Sequence, residues 1–271
     1  MSVMSLAPAR RLRPVTAVRN SLTLTWRSVL KLRTNPEDLF GLLLQPIMYL
    51  VLFTYVFGGS IAGGPHKYLQ FSLPGILVLS VVFATLGTGM MLSQDVATGV
   101  FDRFRALPIA RWAPLAGAIL GDMVRYVISV AVTLGFGFVL GFRIQTSPFD
   151  AAMGCLLVIL FAVAMCWFSA MVGMLVKSAQ GVQLWGFLLM FPLVFGSDIL
   201  TQEAKMPGWL QAFVNVNPVT YLTEAERALL APVPGGPAAA TVVVRSLLWA
   251  LGIFVVFAPL AVAAYRRRTA Q

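Results

Sequence analysis

The side chains that most often carry out catalysis are scarce in this chain. It contains one histidine, His66, and two cysteines, Cys155 and Cys166. A zinc site needs several nitrogen or sulfur ligands close together, and a Ser-His-acid triad would depend on His66 alone. The cysteines lie eleven residues apart in one apolar segment, which is about 16 Å along a helix and too far for a disulfide. We therefore predict no metal centre and no catalytic site, and we interpret both cysteines as buried apolar residues.

The sequence also lacks the motif for ATP hydrolysis of the P-loop type. A Walker A motif needs Gly-Lys followed by Ser or Thr, because the glycine-rich loop and the lysine hold the phosphates. Lys177 is the only lysine followed by Ser or Thr, and Val176 precedes it instead of glycine. We predict that the chain has no ATP turnover of its own and is not an enzyme.

The composition indicates a membrane protein. The 271 residues are 59% hydrophobic and 11% charged, with a mean hydropathy of +0.85, whereas soluble domains carry about 25% charged residues. The formal charge is +10. In a soluble chain this excess would suggest a nucleic-acid partner. Here we expect none, and we interpret the charge as the basic cytoplasmic edge of a membrane protein.

Six apolar segments are long enough to cross a bilayer as helices, which takes about 20 residues each. The third is short between its flanking charges, so we extend it to include Asp122 and Arg125. The predicted fold class is all-α integral membrane, with the spans within residues 39–265, a cytoplasmic tail at 1–38 and a basic tail at 266–271. The spans are predicted at about 39–58, 71–93, 113–141, 151–176, 179–199 and 240–264.

Basic residues predict the orientation, because Lys and Arg of short loops stay on the cytoplasmic side. With the N-terminus in the cytoplasm, most Lys and Arg residues lie inside. The basic residues left outside are Lys67, Arg143, Lys205 and Arg227, with Arg245 at the outer start of span six. We therefore place both termini in the cytoplasm. Asp198, at the outer end of span five, is expected to be exposed to water.

The N-terminal segment predicts an amphipathic helix. Its apolar residues, from Val15 to Val29, follow spacings of three and four, and basic residues lie on the other side. Such a helix is too polar to span the membrane and suits the anionic inner leaflet. Two interpretations stay open: a plain membrane anchor, or an elbow helix with Trp26, Arg27 and Lys31 that also touches a cytoplasmic partner.

The inner loop after span two, residues 95–111, predicts a second amphipathic helix. An apolar stripe with helical spacing includes Phe101, Phe104 and Leu107, and Pro108 ends it. This helix can lie on the membrane, or it can dock into a groove of a partner protein. Two exposed aromatic side chains rimmed by charge make a good docking surface.

The long outer segment before span six predicts a helical hairpin at about 206–231. A short helix with Trp209 and Phe213 on one face comes first, and Asn217-Pro218 begins the second. The first helix is about 12 Å long and cannot span the bilayer. Two short amphipathic helices can dip into the outer leaflet, because helical backbone satisfies its own hydrogen bonds. An ordinary outer loop on the surface is the alternative.

Few ionisable groups lie within the spans. Asp122 and Arg125 are three residues apart and can pair on one helix face. Such residues are functional candidates, but near the membrane surface a structural ion pair is the simpler interpretation. Methionine and aromatic side chains of spans two and five would suit an amphiphilic substrate, although lipid contact or helix packing also explains them. These candidate path residues are Met90, Met91, Trp185, Met190, Phe191 and Phe195.

Four stretches together resemble the type-2 ABC exporter permeases, and the daunorubicin-resistance branch in particular. Residues 95–111, which read GVFDRFRALPIAR from Gly99 onward, are similar to the cytoplasmic coupling segment of that family. Residues 120–126, 206–210 and 215–220 match further. The likeness runs from about residue 15 to residue 265, nearly the whole chain.

The resemblance implies a six-span half-transporter. Two permease subunits, as a homodimer or a heterodimer, would meet along a central pathway, and each would sit on a separate ABC ATP-binding subunit that holds ATP and Mg²⁺. The inner-loop helix would couple ATP-driven closure to the spans. The implied coupling residues are Asp95, Gly99, Phe101, Asp102, Arg103, Phe104, Arg105, Leu107 and Pro108. The implied hairpin residues are Met206, Pro207, Trp209, Phe213, Asn217 and Pro218.

We therefore predict a permease subunit of an exporter in a bacterial plasma membrane, which moves a hydrophobic or amphiphilic drug or antibiotic outward. The family often has Glu where this chain has Asp102, and the shorter acid keeps the charge. Relatives also export lipids and glycans, so a lipid or glycolipid is the alternative cargo. Two other classes stay open. An ion-coupled secondary transporter would want inverted repeats around midplane charges, and a membrane-embedded hydrolase or transferase would need a catalytic cluster.

Overall fold

A computed structural model describes residues 36–59, 64–99, 113–200, 206–232 and 235–268, and the regular structure within these ranges is helical. A short π-helix, Phe53–Phe57, continues the first α-helix. The α-helices are α1 (Pro36–Leu52), α2 (Pro65–Ala84), α3 (Leu86–Ala97), α4 (Ala113–Val139), α5 (Pro148–Leu175), α6 (Ala179–Phe195), α7 (Gly208–Val214), α8 (Pro218–Leu230) and α9 (Ala239–Arg268).

Five helical stretches in the described residues are long and apolar enough to cross a membrane. They are Phe40–Phe57, Pro65–Ala97, Gly117–Val139, Pro148–Leu175 and Ala239–Arg268. Helix α6, where we predicted span five at 179–199, is apolar but has only 17 residues. Its length is about 26 Å, slightly less than the hydrocarbon thickness of a bilayer. The chain is thus a multi-pass membrane protein, and its described residues include five helical stretches of full spanning length.

The ends of several helices follow from local sequence signals. The side chains of Ser147, Ser178 and Asn217 each accept a hydrogen bond from a backbone N–H in the first turn of α5, α6 and α8. Proline occupies the first turn of α5 and of α8, where its missing N–H costs nothing. These N-caps explain why the helices begin where turn-forming residues precede an apolar run.

Helix α2 lies at the centre of the bundle, because almost all its residues from Tyr68 to Phe83 are buried. It packs against α1, α4 and α8, while α3 packs against α5 and α6. Helices α1 and α9 are mostly exposed along their spanning stretches. Their large apolar side chains, such as Phe40 and Val255, would be covered by lipid or by another subunit in a membrane.

Glycine allows two helices to cross with their backbones in contact. A Cβ atom on Gly173 of α5 would overlap the backbone of Gly89 of α3, and a Cβ atom on Gly89 would overlap the Ser169 carbonyl. Gly137 similarly makes room for Leu73 of α2 on α4. Small residues at such crossings are a common way for membrane helices to pack closely.

Candidate functional site

Most of the predicted cytoplasmic contact residues lie outside the described residues. This applies to the elbow residues Trp26, Arg27 and Lys31. It also applies to the coupling residues Phe101, Asp102, Arg103, Phe104, Arg105, Leu107 and Pro108. Their proposed roles remain predictions.

The two described coupling residues lie at the end of α3. Asp95 is in its last turn, and Thr98 ends the helix by donating from its hydroxyl to the Gln94 carbonyl at 2.9 Å. Gly99 then has φ of 68°, a left-handed conformation that favours glycine. Helix α3 therefore leads directly into the segment that the sequence identifies as the coupling segment.

A cluster of polar side chains joins α3, α4 and α5 inside the bundle. We call Thr88, Asp122, Tyr126 and Cys166 the Asp122 cluster. The Thr88 hydroxyl donates to Asp122 Oδ2 at 2.5 Å and lies 3.1 Å from the Tyr126 hydroxyl and 3.3 Å from Cys166 Sγ. All four side chains are buried. Side chains from all three helices thus form one hydrogen-bonded cluster around a buried carboxylate.

Arg125 pairs with the carboxylate of the Asp122 cluster. Its Nη1 lies 3.5 Å from Asp122 Oδ1, one helical turn away, and its side chain is 20% exposed. A Cβ atom on Gly87 of α3 would lie 3.3 Å from the same Nη1. The ion pair therefore lies against α3, with the acid inside the bundle and the base partly at its surface. The sequence predicts this pair, but it does not place Thr88, Tyr126 or Cys166 beside it.

The candidate path residues are not gathered on one surface. Met90 and Met91 of α3 are half-buried, and Met190 of α6 is fully buried in the core. Trp185, Phe191 and Phe195 are on the exposed side of α6. The rings of Phe191 and Phe195 stack with centroids 4.4 Å apart. Phe191 and Phe195 therefore share a surface on the exposed side of α6, and the other members are spread over α3 and α6.

The outer hairpin is attached to the end of α6 by Asn217. The Asn217 amide donates to the carbonyls of Leu193 and Gly196, at 2.6 and 3.0 Å, and its oxygen accepts from Val219 N–H at 2.9 Å. One buried side chain thus donates hydrogen bonds to free carbonyls at the end of α6 and also caps the start of α8. Phe213 of α7 lies against Gly196, where a Cβ atom would be 2.7 Å from its ring.

The remaining predicted hairpin residues lie around this anchor. Pro207 is the N-cap of α7, and the Met206 carbonyl accepts from the Gln211 amide at 2.8 Å. Trp209 is 76% exposed, while Pro218 occupies the first turn of α8. The structure therefore places a short helix, a turn and a second helix between α6 and α9, with α7 presenting an exposed tryptophan.

A buried ion pair, which the sequence did not reveal, fixes α8 to the segment after α6. Arg227 Nη1 donates to Asp198 Oδ2, and its Nη2 donates to the carbonyls of Asp198 and Ile199 at 2.6 and 3.1 Å. The guanidinium also lies 3.9 Å from the centroid of the Phe71 ring. Our expectation that Asp198 is exposed to water is wrong, because the hairpin folds over it and leaves it 6% exposed.

Comparison with known proteins identifies the family. Residues 19–230 match the model of the ABC-2 type transporter membrane domain. The chain is also 38% identical, over 97% of its length and 90% of the relative's, to the daunorubicin resistance ABC transporter permease protein DrrB1 of Streptomyces coeruleorubidus.

The chain belongs to the ABC-2 type transporter family.

Other ABC-2 relatives have similar names. The probable doxorubicin resistance ABC transporter permease protein DrrC of Mycobacterium tuberculosis is 28% identical over 92% of this chain and 89% of its own length. The inner membrane transport permease YadH of Escherichia coli is 22% identical over 68% of this chain and 73% of its own. These relatives are transport permeases, so this ABC-2 chain is a transport component and not an enzyme.

The family match extends from the N-terminal amphipathic segment to the end of α8. It therefore includes the coupling segment, the Asp122 cluster and the outer hairpin with Arg227. The resemblance that the sequence motifs suggested is confirmed for this part of the ABC-2 chain.

Proposed function

We propose that this ABC-2 chain is the transmembrane permease subunit of an ATP-driven exporter of a hydrophobic or amphiphilic drug. The observation that carries the proposal is the similarity, over nearly the whole chain, to permeases named for daunorubicin and doxorubicin resistance. The large apolar side chains exposed on α6, among them Trp185 and Phe191, suit contact with an amphiphilic compound. A lipid or glycolipid is the alternative cargo.

The proposed topology has six spans with both termini in the cytoplasm of a bacterium. Helix α6 is then the fifth span, and residues 197–200 with the hairpin complete its outer end. Two observations support this. The last turn of α9 carries Arg266, Arg267 and Arg268, as expected at a cytoplasmic end. Arg268 also donates to the carbonyls of Gly173, Met174 and Val176 at the end of α5.

ATP and Mg²⁺ bind, in this proposal, to a separate ABC ATP-binding subunit. That subunit contacts the elbow helix and the inner-loop helix, and its closure pulls on α3 through the short connection at Gly99. Movement of α3 would pass to α4 and α5, because Thr88 is hydrogen-bonded to both in the Asp122 cluster. A rigid helix with buried polar links is the kind of element that carries such coupling.

The outer hairpin is proposed to dip into the outer leaflet. Helix α7 has 7 residues and α8 has 13, so neither is long enough to span the bilayer. The carbonyls of Leu229 and Leu230 at the end of α8 accept hydrogen bonds from Thr146 and Gln145 of the loop before α5. Since that loop is outside in the proposed topology, α8 runs from Asn217 within the leaflet towards the outer surface.

A second permease subunit would complete the transport path. The exposed apolar faces of α1, α6 and α9 are available to it, with membrane lipid covering the rest. The second subunit would be either another copy of this chain or a homologue.

The test is ATPase activity of the purified complex of this permease with its ABC ATP-binding subunit, measured against a panel of candidate compounds. We expect stimulation by anthracycline-like amphiphiles and none from the permease alone. Stimulation only by lipids or glycolipids would replace the drug with the alternative cargo. ATP turnover by the permease free of any ATPase subunit would contradict the proposal.

A further inference from the structure

A carboxyl group is buried within the outer hairpin next to Arg227. Glu226 of α8 has no solvent exposure, and neither of its carboxylate oxygens has a hydrogen-bond partner among the residues that the structure describes. Arg227, by contrast, is bonded to Asp198 and to three backbone carbonyls. The charge of Arg227 is therefore committed elsewhere and does not serve the neighbouring acid.

The space for this carboxyl group is provided by a glycine of α5. A Cβ atom on Gly154 would lie 3.0 Å from Glu226 Oε2, closer than side chains normally approach. Gly154 is itself buried, and α8 packs here against α2, α5 and α9. The carboxyl group is thus held between packed helices, and the absence of a side chain at Gly154 gives it room.

Few charges are available to stabilise an ionised Glu226. On α5, Cys155 is within electrostatic range and Asp150 accepts from the Ser147 hydroxyl at 2.7 Å. On α9, Arg245 lies over the ring of Tyr221, 5.7 Å from its centroid. The other titratable groups of α2 and α8 are His66 and Lys67 at the exposed start of α2, Tyr68, which donates to the Leu200 carbonyl, and the half-buried Glu224.

Burial alone raises the pKa of Glu226, from its ordinary value of 4.5 to about 8. An ionised carboxylate without a partner is very costly to bury, so such a group takes up a proton instead. The neutral acid also lacks a hydrogen-bond partner here, but burying a neutral polar group costs much less free energy than burying a charge.

We propose that Glu226 is a proton-binding site of the outer hairpin, which carries its proton while α8 is packed on Gly154 and releases it when α8 moves away. On release the O–H bond of the acid breaks, the electron pair stays on the carboxylate and the proton passes to water. A low pH on the outer side would then favour the packed position of the hairpin, and a high pH would favour the displaced position. This inference does not depend on which compound is transported.

Infrared spectroscopy of the purified permease tests the protonation directly. We expect the C=O stretch of a protonated carboxylic acid at pH 6, a shift of this band in D₂O, and its loss as the pH rises through about 8. Labelling the protein with ¹³C-glutamate should shift the band, which separates Glu226 from Asp122 without any substitution. A band that glutamate labelling does not move would overturn the proposal.

Two matched variants assign the band to the residue. Glu226→Gln should remove it, while Glu224→Gln, two residues away on the same helix and partly exposed, should leave it unchanged. A band that persists in Glu226→Gln, or disappears in Glu224→Gln, would contradict the assignment.

The pH dependence of stability gives a second readout. A carboxyl group whose pKa is raised by folding makes the folded state bind more protons, so stability falls as the pH rises between 4.5 and about 8. Relative to Glu226→Gln, the unfolding constant of the wild type should rise about tenfold per pH unit in this window. Glu224→Gln should follow the wild type. Parallel curves for the wild type and Glu226→Gln would overturn the proposal, whatever the outcome of the transport experiments.

Discussion

Arg227 and Asp198 form an ion pair that is almost completely buried, although the two residues lie on different sides of the outer hairpin turn. The pair joins α8 to the segment after α6, and the guanidinium also donates to backbone carbonyls of α2 and of that segment. A buried charge pair of this kind contributes to stability only while both partners are present. Together with Asn217, it therefore fixes the position of the hairpin.

Removing Arg227 should destabilise the permease strongly. Arg227→Ala leaves Asp198 buried without its ion-pair partner, which costs about 3–5 kcal/mol. The matched control is Arg245→Ala, because Arg245 is exposed and only lies over a tyrosine ring, a contact worth about 0.5–1 kcal/mol. Denaturant unfolding of the purified permease in micelles measures both, and equal losses would contradict the role of the pair.

The contact between α3 and α5 should not tolerate a methyl group. In Gly173→Ala the new Cβ atom overlaps the backbone of Gly89, so the helices must separate. We expect a loss of about 1–3 kcal/mol, the usual cost of overpacking. Gly135→Ala on α4 is the control, since a Cβ atom there meets nothing within 4 Å. It should be neutral or stabilising in the same unfolding experiment, and a similar loss in both variants would refute the close crossing.

The Asp122 cluster should depend on the Thr88 hydroxyl. Thr88→Val keeps the size of the side chain but removes the donor to Asp122, and an unsatisfied buried acceptor costs about 1–3 kcal/mol. Thr98→Val removes an exposed hydroxyl at the end of the same helix and should change stability by less than about 0.5 kcal/mol. Thermal unfolding of the two variants side by side decides this, and an equal effect would mean that the cluster is not a stabilising unit.

The positions of the helices follow from the sequence more readily than their contacts do. Charge-free stretches are local signals that indicate the spans. The starts of α5, α6 and α8 are also marked locally, by Pro148, Ser178 and Asn217-Pro218. The ion pair of Asp122 and Arg125 was also predictable, because it lies within one helical turn. Such features depend on residues that are neighbours along the chain.

The contacts that the sequence did not reveal are all long-range. Arg227 and Asp198 are 29 residues apart, and each alone resembled a charge in an outer loop. Gly89 and Gly173 were not singled out from the sequence, since their significance comes from the crossing of α3 and α5. Nothing in the sequence singled out Glu226. In each case the meaning of the residue depends on which other element packs against it.

The coupling segment gives a prediction on residues outside the described part of the chain. If the inner-loop helix docks on the ATPase, Phe104→Ala should weaken that contact by about 2 kcal/mol, or about thirtyfold in affinity. Asp102→Asn should do less, because a partly solvated charge contributes little. Copurification with the ATPase subunit measures both. Normal binding by Phe104→Ala would favour the alternative, a helix that only lies on the lipid.

The most direct test of the proposed function is drug uptake into inverted vesicles that contain this permease and its ABC ATP-binding subunit. The account predicts that daunorubicin accumulates only when both subunits and hydrolysable ATP are present. It also predicts that accumulation persists when an ionophore collapses the ion gradients, because ATP hydrolysis supplies the energy. Uptake that ceases with the ionophore, or that proceeds without ATP or the ATPase subunit, would contradict the assignment as an ATP-driven exporter permease.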